Sequence, residues 1–179
     1  MDVLMDFGFS SEFTGVYFSS NGSTGMDGNG ELTISVSVLS KGETSSNGYF
    51  TSDTFYGTGA HEGGHALINA LLKHNVSINP DDKNKTSSRA FLERATARDK
   101  GKLETAIMKE AKKRYGSNPA ISGYGSKNAV EKVAEAVSDV YANKGNAKPY
   151  SKTIVDVLKD IKTGKFKPII RVSKREMGI

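Results

Sequence analysis

The chain has 179 residues, 36% of them hydrophobic, with 25 basic against 20 acidic side chains and a net charge of +5. That length suits one domain with a buried core, and the absence of cysteine excludes disulfides and thiolate metal sites, leaving histidine and carboxylate as the only metal ligands. No window approaches the roughly 18 apolar residues of a membrane span, and the basic excess is spread over mixed Lys/Glu faces, which argues against nucleic acid as a partner.

Asp2 and Asp6 stand where a secretory signal would carry positive charge, and no apolar core follows them. The expectation is a protein that works where it is made, in the cytoplasm, or a piece excised from a larger or secreted one. Residues 1–11 read as poorly determined, and Phe13 to Ser19 as a short strand. Residues 20–30 hold four glycines and form a turn. A phosphate-cradling loop would need a helix and a lysine after it, and a strand follows instead.

That strand, Glu31 to Val38, alternates Leu32, Ile34, Val36 and Val38 against Thr33, Ser35 and Ser37. It is expected half-buried and antiparallel to its neighbour. Lys41 to Asn47 is a polar turn, and Tyr49 to Thr54 a further short strand.

From Gly57 the pattern becomes helical. The first helix runs to Lys73, with His74 in its last turn as a surface residue near the negative helix end. Asn79 to Asp82 is a turn. Thr86 to Arg98 and Lys102 to Arg114 are helices, the latter burying Leu103, Ala106 and Ile107. Ser117 to Gly125, with Pro119, Gly123 and Gly125, breaks the pattern before a helix over Lys127 to Asn143. Pro149 opens the final helix, whose face is Ile154, Val155, Val157, Leu158 and Ile161. A basic tail, partly loose, closes the chain. The divisions are thus a β-rich part over 12–55, a helical part over 57–162 and the tail over 163–179, all within one domain spanning 1–179.

The chemistry concentrates in the first long helix, at His61-Glu62-Gly63-Gly64-His65. Two imidazoles four residues apart lie about 40° from each other on one helical face, one turn apart, which is the spacing needed to grip one ion. Zinc suits such a pair, and an acid beside it can take a proton from the water that the ion activates. Two histidines leave the shell one protein ligand short. Glu131, Glu135 and Asp139, at steps of four on the Lys127 to Asn143 helix, are candidates for the third; solvated pairing with Lys127 and Lys132 is the alternative. Gly63 and Gly64 each cost a helix about 1 kcal/mol relative to alanine, so a close neighbour is expected against them.

The HEGGH stretch, followed by Ser122-Gly123-Tyr124-Gly125-Ser126-Lys127-Asn128-Ala129-Val130-Glu131 and Lys132-Val133-Ala134-Glu135-Ala136, resembles the zinc peptidases grouped with the anthrax lethal factor catalytic domain and the Pro-Pro endopeptidases. The likeness spans about Phe55 to Ile161, and the seven-residue step from Tyr124 to Glu131 is its most specific part. It implies a single zinc ion held by His61, His65 and Glu131, with Glu62 as general base, Tyr124 as the hydroxyl that steadies the oxyanion, and Glu135 as an acid bonded behind a ligand. Gly64 agrees with the family pattern. Gly63 replaces a bulkier residue, and Lys132 and Val133 stand where aromatics are frequent.

The fold expected is α+β and zincin-like: a small antiparallel sheet on the HExxH helix, then a mostly helical C-terminal part. The function expected is a zinc metalloendopeptidase acting on protein or peptide substrates, the Glu31 to Val38 strand offering its edge to the extended substrate. Two rivals stand beside it. One is a non-catalytic structural or nucleic-acid-contacting module of a virion or mobile element, with a vestigial zinc site and a working basic tail (Lys162, Lys165, Lys167, Arg171, Lys174, Arg175). The other is a non-peptidase hydrolase that shares HExxH.

Overall fold

The computed structural model describes residues 2–20, 24–27, 31–35, 49–52, 54–80 and 101–173. Within them the protein is α+β and mostly helical, with helices α1 (Asp2–Asp6), α2 (Phe55–His74), α3 (Lys102–Tyr115), α4 (Ala129–Asn143) and α5 (Pro149–Lys162). Strands β1 (Gly15–Ser19), β2 (Gly25–Met26) and β3 (Glu31–Ser35) form one sheet, and β4 (Ser77–Pro80) and β5 (Ile169–Val172) a second.

Local chemistry accounts for the helix ends. Thr54 caps α2 by accepting from the Gly57 N–H at 2.9 Å, and Asn128 caps α4 by accepting from the Glu131 N–H at 2.9 Å. Pro149 begins α5, where a missing N–H costs nothing. Gly116 ends α3 at φ 86°, a left-handed backbone that favours glycine.

The core lies between α2, α3, α4 and α5. Leu67 and Leu71 of α2, Ile107 of α3, Val133 and Val137 of α4, and Ile154 and Leu158 of α5 are all fully buried within it. Each such side chain contributes about 1.5–3 kcal/mol by leaving water. The most extensive helix contact is α2 against α4, the two helices that carry the candidate site.

Several expectations change. Residues 2–6 are a helix, with Val3 and Leu4 buried in the core. Five residues bounded by aspartates carry too little periodicity to reveal it.

The first sheet has the order β1-β3-β2, and its longer pairing, Gly15↔Glu31 through Ser19↔Ser35, is parallel; only the two-residue β2 is antiparallel to β3. The second sheet is parallel too, Ser77↔Ile169 through Pro80↔Val172. The antiparallel expectation therefore fails, since alternation reports a buried face and not the direction of a partner. The Leu32 and Ile34 face is buried as expected, and the sheet meets α2 through β2.

Over its described residues, Glu31–Ser35, β3 is the central strand of its sheet, so that part does not offer the free edge assigned to Glu31 to Val38 for substrate. Tyr49 to Ser52 forms bends and not a strand, Asn79 and Pro80 belong to β4 and not to a turn, and β5 orders part of the basic tail. Val36, Val38, the Lys41 to Asn47 turn, Asp81, Asp82, the Thr86 to Arg98 helix, and Lys174 and Arg175 lie outside the described residues. No helix among the described residues is long and apolar enough to cross a membrane.

Candidate metal centre

α2 and α4 face each other so closely that only glycine fits between them. A Cβ on Gly64 would stand 3.0 Å from the Ala134 Cα and 3.3 Å from the Val137 Cβ. That approach answers the cost of a mid-helix glycine, and it brings the acids of α4 over the histidines of α2. Gly63 looks elsewhere: its Cβ would lie 3.3 Å from Val3 of α1.

His61, His65 and Glu131 form a group that could hold a metal ion. The two Nε2 atoms are 3.2 Å apart, and Glu131 Oε2 lies 3.3 Å from His61 Nε2 and 3.6 Å from His65 Nε2. Three ligands at about 2.0–2.2 Å from one tetrahedral ion sit about 3.3 Å from one another, so the triangle has the right size. Glu131 Oε2 is also buried without a hydrogen-bond donor. A polar atom left so costs about 1–3 kcal/mol, and a cation inside the triangle would satisfy it.

Glu135 sits behind His61. Its Oε1 accepts from His61 Nδ1–H at 2.8 Å, and its Oε2 accepts from the Thr51 N–H at 2.7 Å. The Thr51 hydroxyl donates to the Glu135 carbonyl at 3.2 Å, and Ser122 adds a further hydrogen bond to the carboxylate. With Nδ1 carrying the proton, the His61 Nε2 lone pair points into the triangle.

Burial opposes charge on both partners, but the hydrogen bond between them and the neighbouring charges outweigh it. The Glu135 carboxyl is held below its usual range, and His61 is raised. His65 goes the other way, pushed down to about 4 by burial and then by the nearby His61, and so is neutral and ready to ligate.

Glu62 is half-buried on α2, and its charge is felt at both His61 and Tyr124. Tyr124 begins the turn over Tyr124–Ser126 that leads into α4. Its ring lies 5.6 Å from the His61 ring, centroid to centroid, in an edge-on arrangement. Burial, and next the charge of Glu131, raise its hydroxyl above the ordinary 10.0, so it keeps its proton at neutral pH.

The third acid of the ladder, Asp139, does not join the group. It accepts from Asn143 Nδ2 at 2.7 Å and from the Lys148 N–H at 2.9 Å, closing the turn before α5. The solvated alternative for these acids fails as well: Lys127 sits over the Tyr124 ring, and Lys132 bonds Asn118 at 2.8 Å. His74 lies on the surface, bonded to Glu12 at 2.8 Å and stacked on Phe9.

Thr51, Ser122 and the Tyr49–Phe50 pair also stand at the site, with no motif in the sequence to mark them. Thr51 reaches Glu135 across 84 positions, so no local spacing points to it. Ser122 lies in the run that carries the family resemblance, and nothing in its spacing marks it. Set beside known families, curated proteins and solved structures, the chain matches none of them.

Proposed function

We propose that the chain is a zinc-dependent endopeptidase of zincin type, similar in its site to the lethal factor and Pro-Pro endopeptidase group. The observation that carries the reading is the His61, His65 and Glu131 triangle with its buried, donorless carboxylate oxygen. Two imidazoles and one carboxylate without thiolate are a donor set suited to catalytic zinc. Zinc there would supply an acidified water, with a pKa near 7, and a Lewis acid for the substrate carbonyl.

The chain's own groups do the rest. Glu135 fixes the His61 tautomer and ring orientation. Glu62, next to His61 in sequence, accepts the proton of the attacking water and returns it to the departing amine. The Tyr124 hydroxyl, protonated at neutral pH, donates to the oxygen on which charge develops. Tyr124 also separates this reading from other HExxH hydrolases, since a positioned phenol is what an acyl-transfer oxyanion needs.

Metal analysis and peptide cleavage test the proposal together. The purified chain is expected to hold about one zinc, as a single three-residue site requires, and His61→Ala or Glu131→Ala to lose it. Glu62→Gln is expected to keep the zinc and lose at least about a hundredfold in kcat, the scale of a general base. A zinc-free wild type, or an unimpaired Glu62→Gln, would refute it.

A further inference from the structure

The segment Tyr49 to Ser52 has no regular structure, yet it is tied down on every side. The Thr51 N–H and hydroxyl both donate to Glu135, Asn143 Nδ2 donates to the Thr51 carbonyl at 3.2 Å, and the Tyr124 N–H donates to the Tyr49 carbonyl at 2.6 Å. All four anchors belong to α4 or to the turn leading into it, the frame that also carries Glu131. The segment is therefore rigid with respect to the candidate ligands.

What this rigid piece turns outward is aromatic. Tyr49 and Phe50 are 44% and 38% exposed, so part of each ring is open to solvent. They pack edge-on at 4.8 Å and reach the Tyr124 ring at 5.7 and 5.0 Å. Tyr124 in turn lies against His61, so the three rings form a run that starts at the metal group and leads outward from it.

A positive charge rims this surface. Lys127 Nζ stands 3.9 Å from the Tyr124 ring centroid and 5.8 Å from that of Tyr49, whose side chain it also hydrogen-bonds. Among the described residues no carboxylate pairs with it at ion-pair distance, whereas Lys73 and Arg114 are so paired. An exposed ammonium held beside aromatic rings attracts an acidic group and repels a basic one.

Building on the peptidase reading, we propose that Tyr49, Phe50 and Lys127 form a substrate subsite on the Tyr124 side of the scissile bond. It takes a large apolar or aromatic side chain against the two rings, with an acidic residue beside it paired to Lys127. The preferred substrates are thus extended segments carrying an apolar–acidic pair, and a lysine or arginine in place of the acid is disfavoured.

The test uses the full zinc-loaded chain and peptides that differ on each side of the cleaved bond: aromatic or alanine, flanked by glutamate, glutamine or lysine. Binding of the same peptides to Glu62→Gln is followed by fluorescence anisotropy, which does not depend on turnover. Wild type is expected to favour the aromatic–glutamate peptides by about tenfold or more in kcat/KM.

Phe50→Ala is expected to lose about tenfold on aromatic peptides alone, with Phe50→Leu in between. Lys127→Glu should reverse the order of glutamate- and lysine-flanked peptides, a readout that loss of stability would not move. Zinc content checks that each variant keeps its site. Cleavage with unchanged preference in Phe50→Ala, Phe50→Leu and Lys127→Glu overturns the subsite and leaves the peptidase standing. Selective binding without cleavage keeps the subsite and sinks the peptidase, and neither binding nor cleavage sinks both.

Discussion

The two glycines of the HEGGH stretch are neighbours in sequence and face different worlds. Gly64 looks at α4, where the nearest atom to an added Cβ is backbone, the Ala134 Cα at 3.0 Å. Gly63 looks at α1, where the nearest atoms are the Cβ and Cγ2 of Val3 at 3.3 Å. A helix backbone cannot retreat without carrying its own side chains with it, whereas a valine on a short terminal helix can shift by a few tenths of an ångström. The α4 side also holds Glu131 and Glu135 over the histidines, while the α1 side holds packing and two surface tethers. One glycine therefore sets the distance on which the metal group depends, and the other makes room for a brace.

Gly64→Ala is the strongest way to break this contrast. Pushing α4 away is expected to cost about 1–3 kcal/mol, the usual scale of overpacking, and to weaken metal binding, both measurable by urea unfolding and zinc titration. Retained zinc affinity in this variant would mean that the helix spacing does not govern the site. Glu135→Gln acts on the same side without moving a helix. Losing the charged acceptor behind His61 is expected to weaken zinc about 10–100-fold.

Gly63→Ala is the matching change on the α1 side. The gain in helix propensity, about 1 kcal/mol, opposes a soft contact, so the net effect is expected within about 1 kcal/mol of zero and more favourable when Val3→Ala is added. Equal losses for Gly63→Ala and Gly64→Ala would abolish the distinction.

The smallest effect concerns the tethers of α1. The Tyr56 hydroxyl donates to Asp2 at 2.7 Å, and that bond, with burial, pushes its pKa from 10.0 up to about 12. Burial, and next its 3.0 Å bond to Asp6, raise Tyr141 as well. A folded-state pKa above the unfolded one gives stability that is complete below the unfolded value of 10.0 and is lost as pH rises through about 12. Tyr56→Phe should therefore flatten the decline in unfolding midpoint across that interval, by an effect of about 0.5 kcal/mol at this exposed position. An identical decline in wild type and variant would show that the tether carries nothing.

Much of the candidate site was legible because its spacings are helical. His61 and His65 are one turn apart, and so are Glu131, Glu135 and Asp139, which places each set on one face whatever surrounds it. Spacing alone could not say which acid of the ladder meets the histidines; only the family resemblance singled out Glu131, with Glu135 behind a ligand. Their different fates, in the triangle, behind His61 and at the turn before α5, come from how α4 crosses α2 and from Thr51, Ser122, Asn143 and Lys148 around them.

Sequence alone determined the four long helices α2 to α5, the start at Pro149 and the buried face of Leu32 and Ile34, since each depends on residues within a turn or two. Tertiary structure alone decided the parallel pairing of β1 with β3 and of β4 with β5, the burial of α1 and the aromatic wall at Tyr49 and Phe50. Those features join positions far apart in the chain, where the partner of a residue is chosen by the packing of the whole and leaves no period to read.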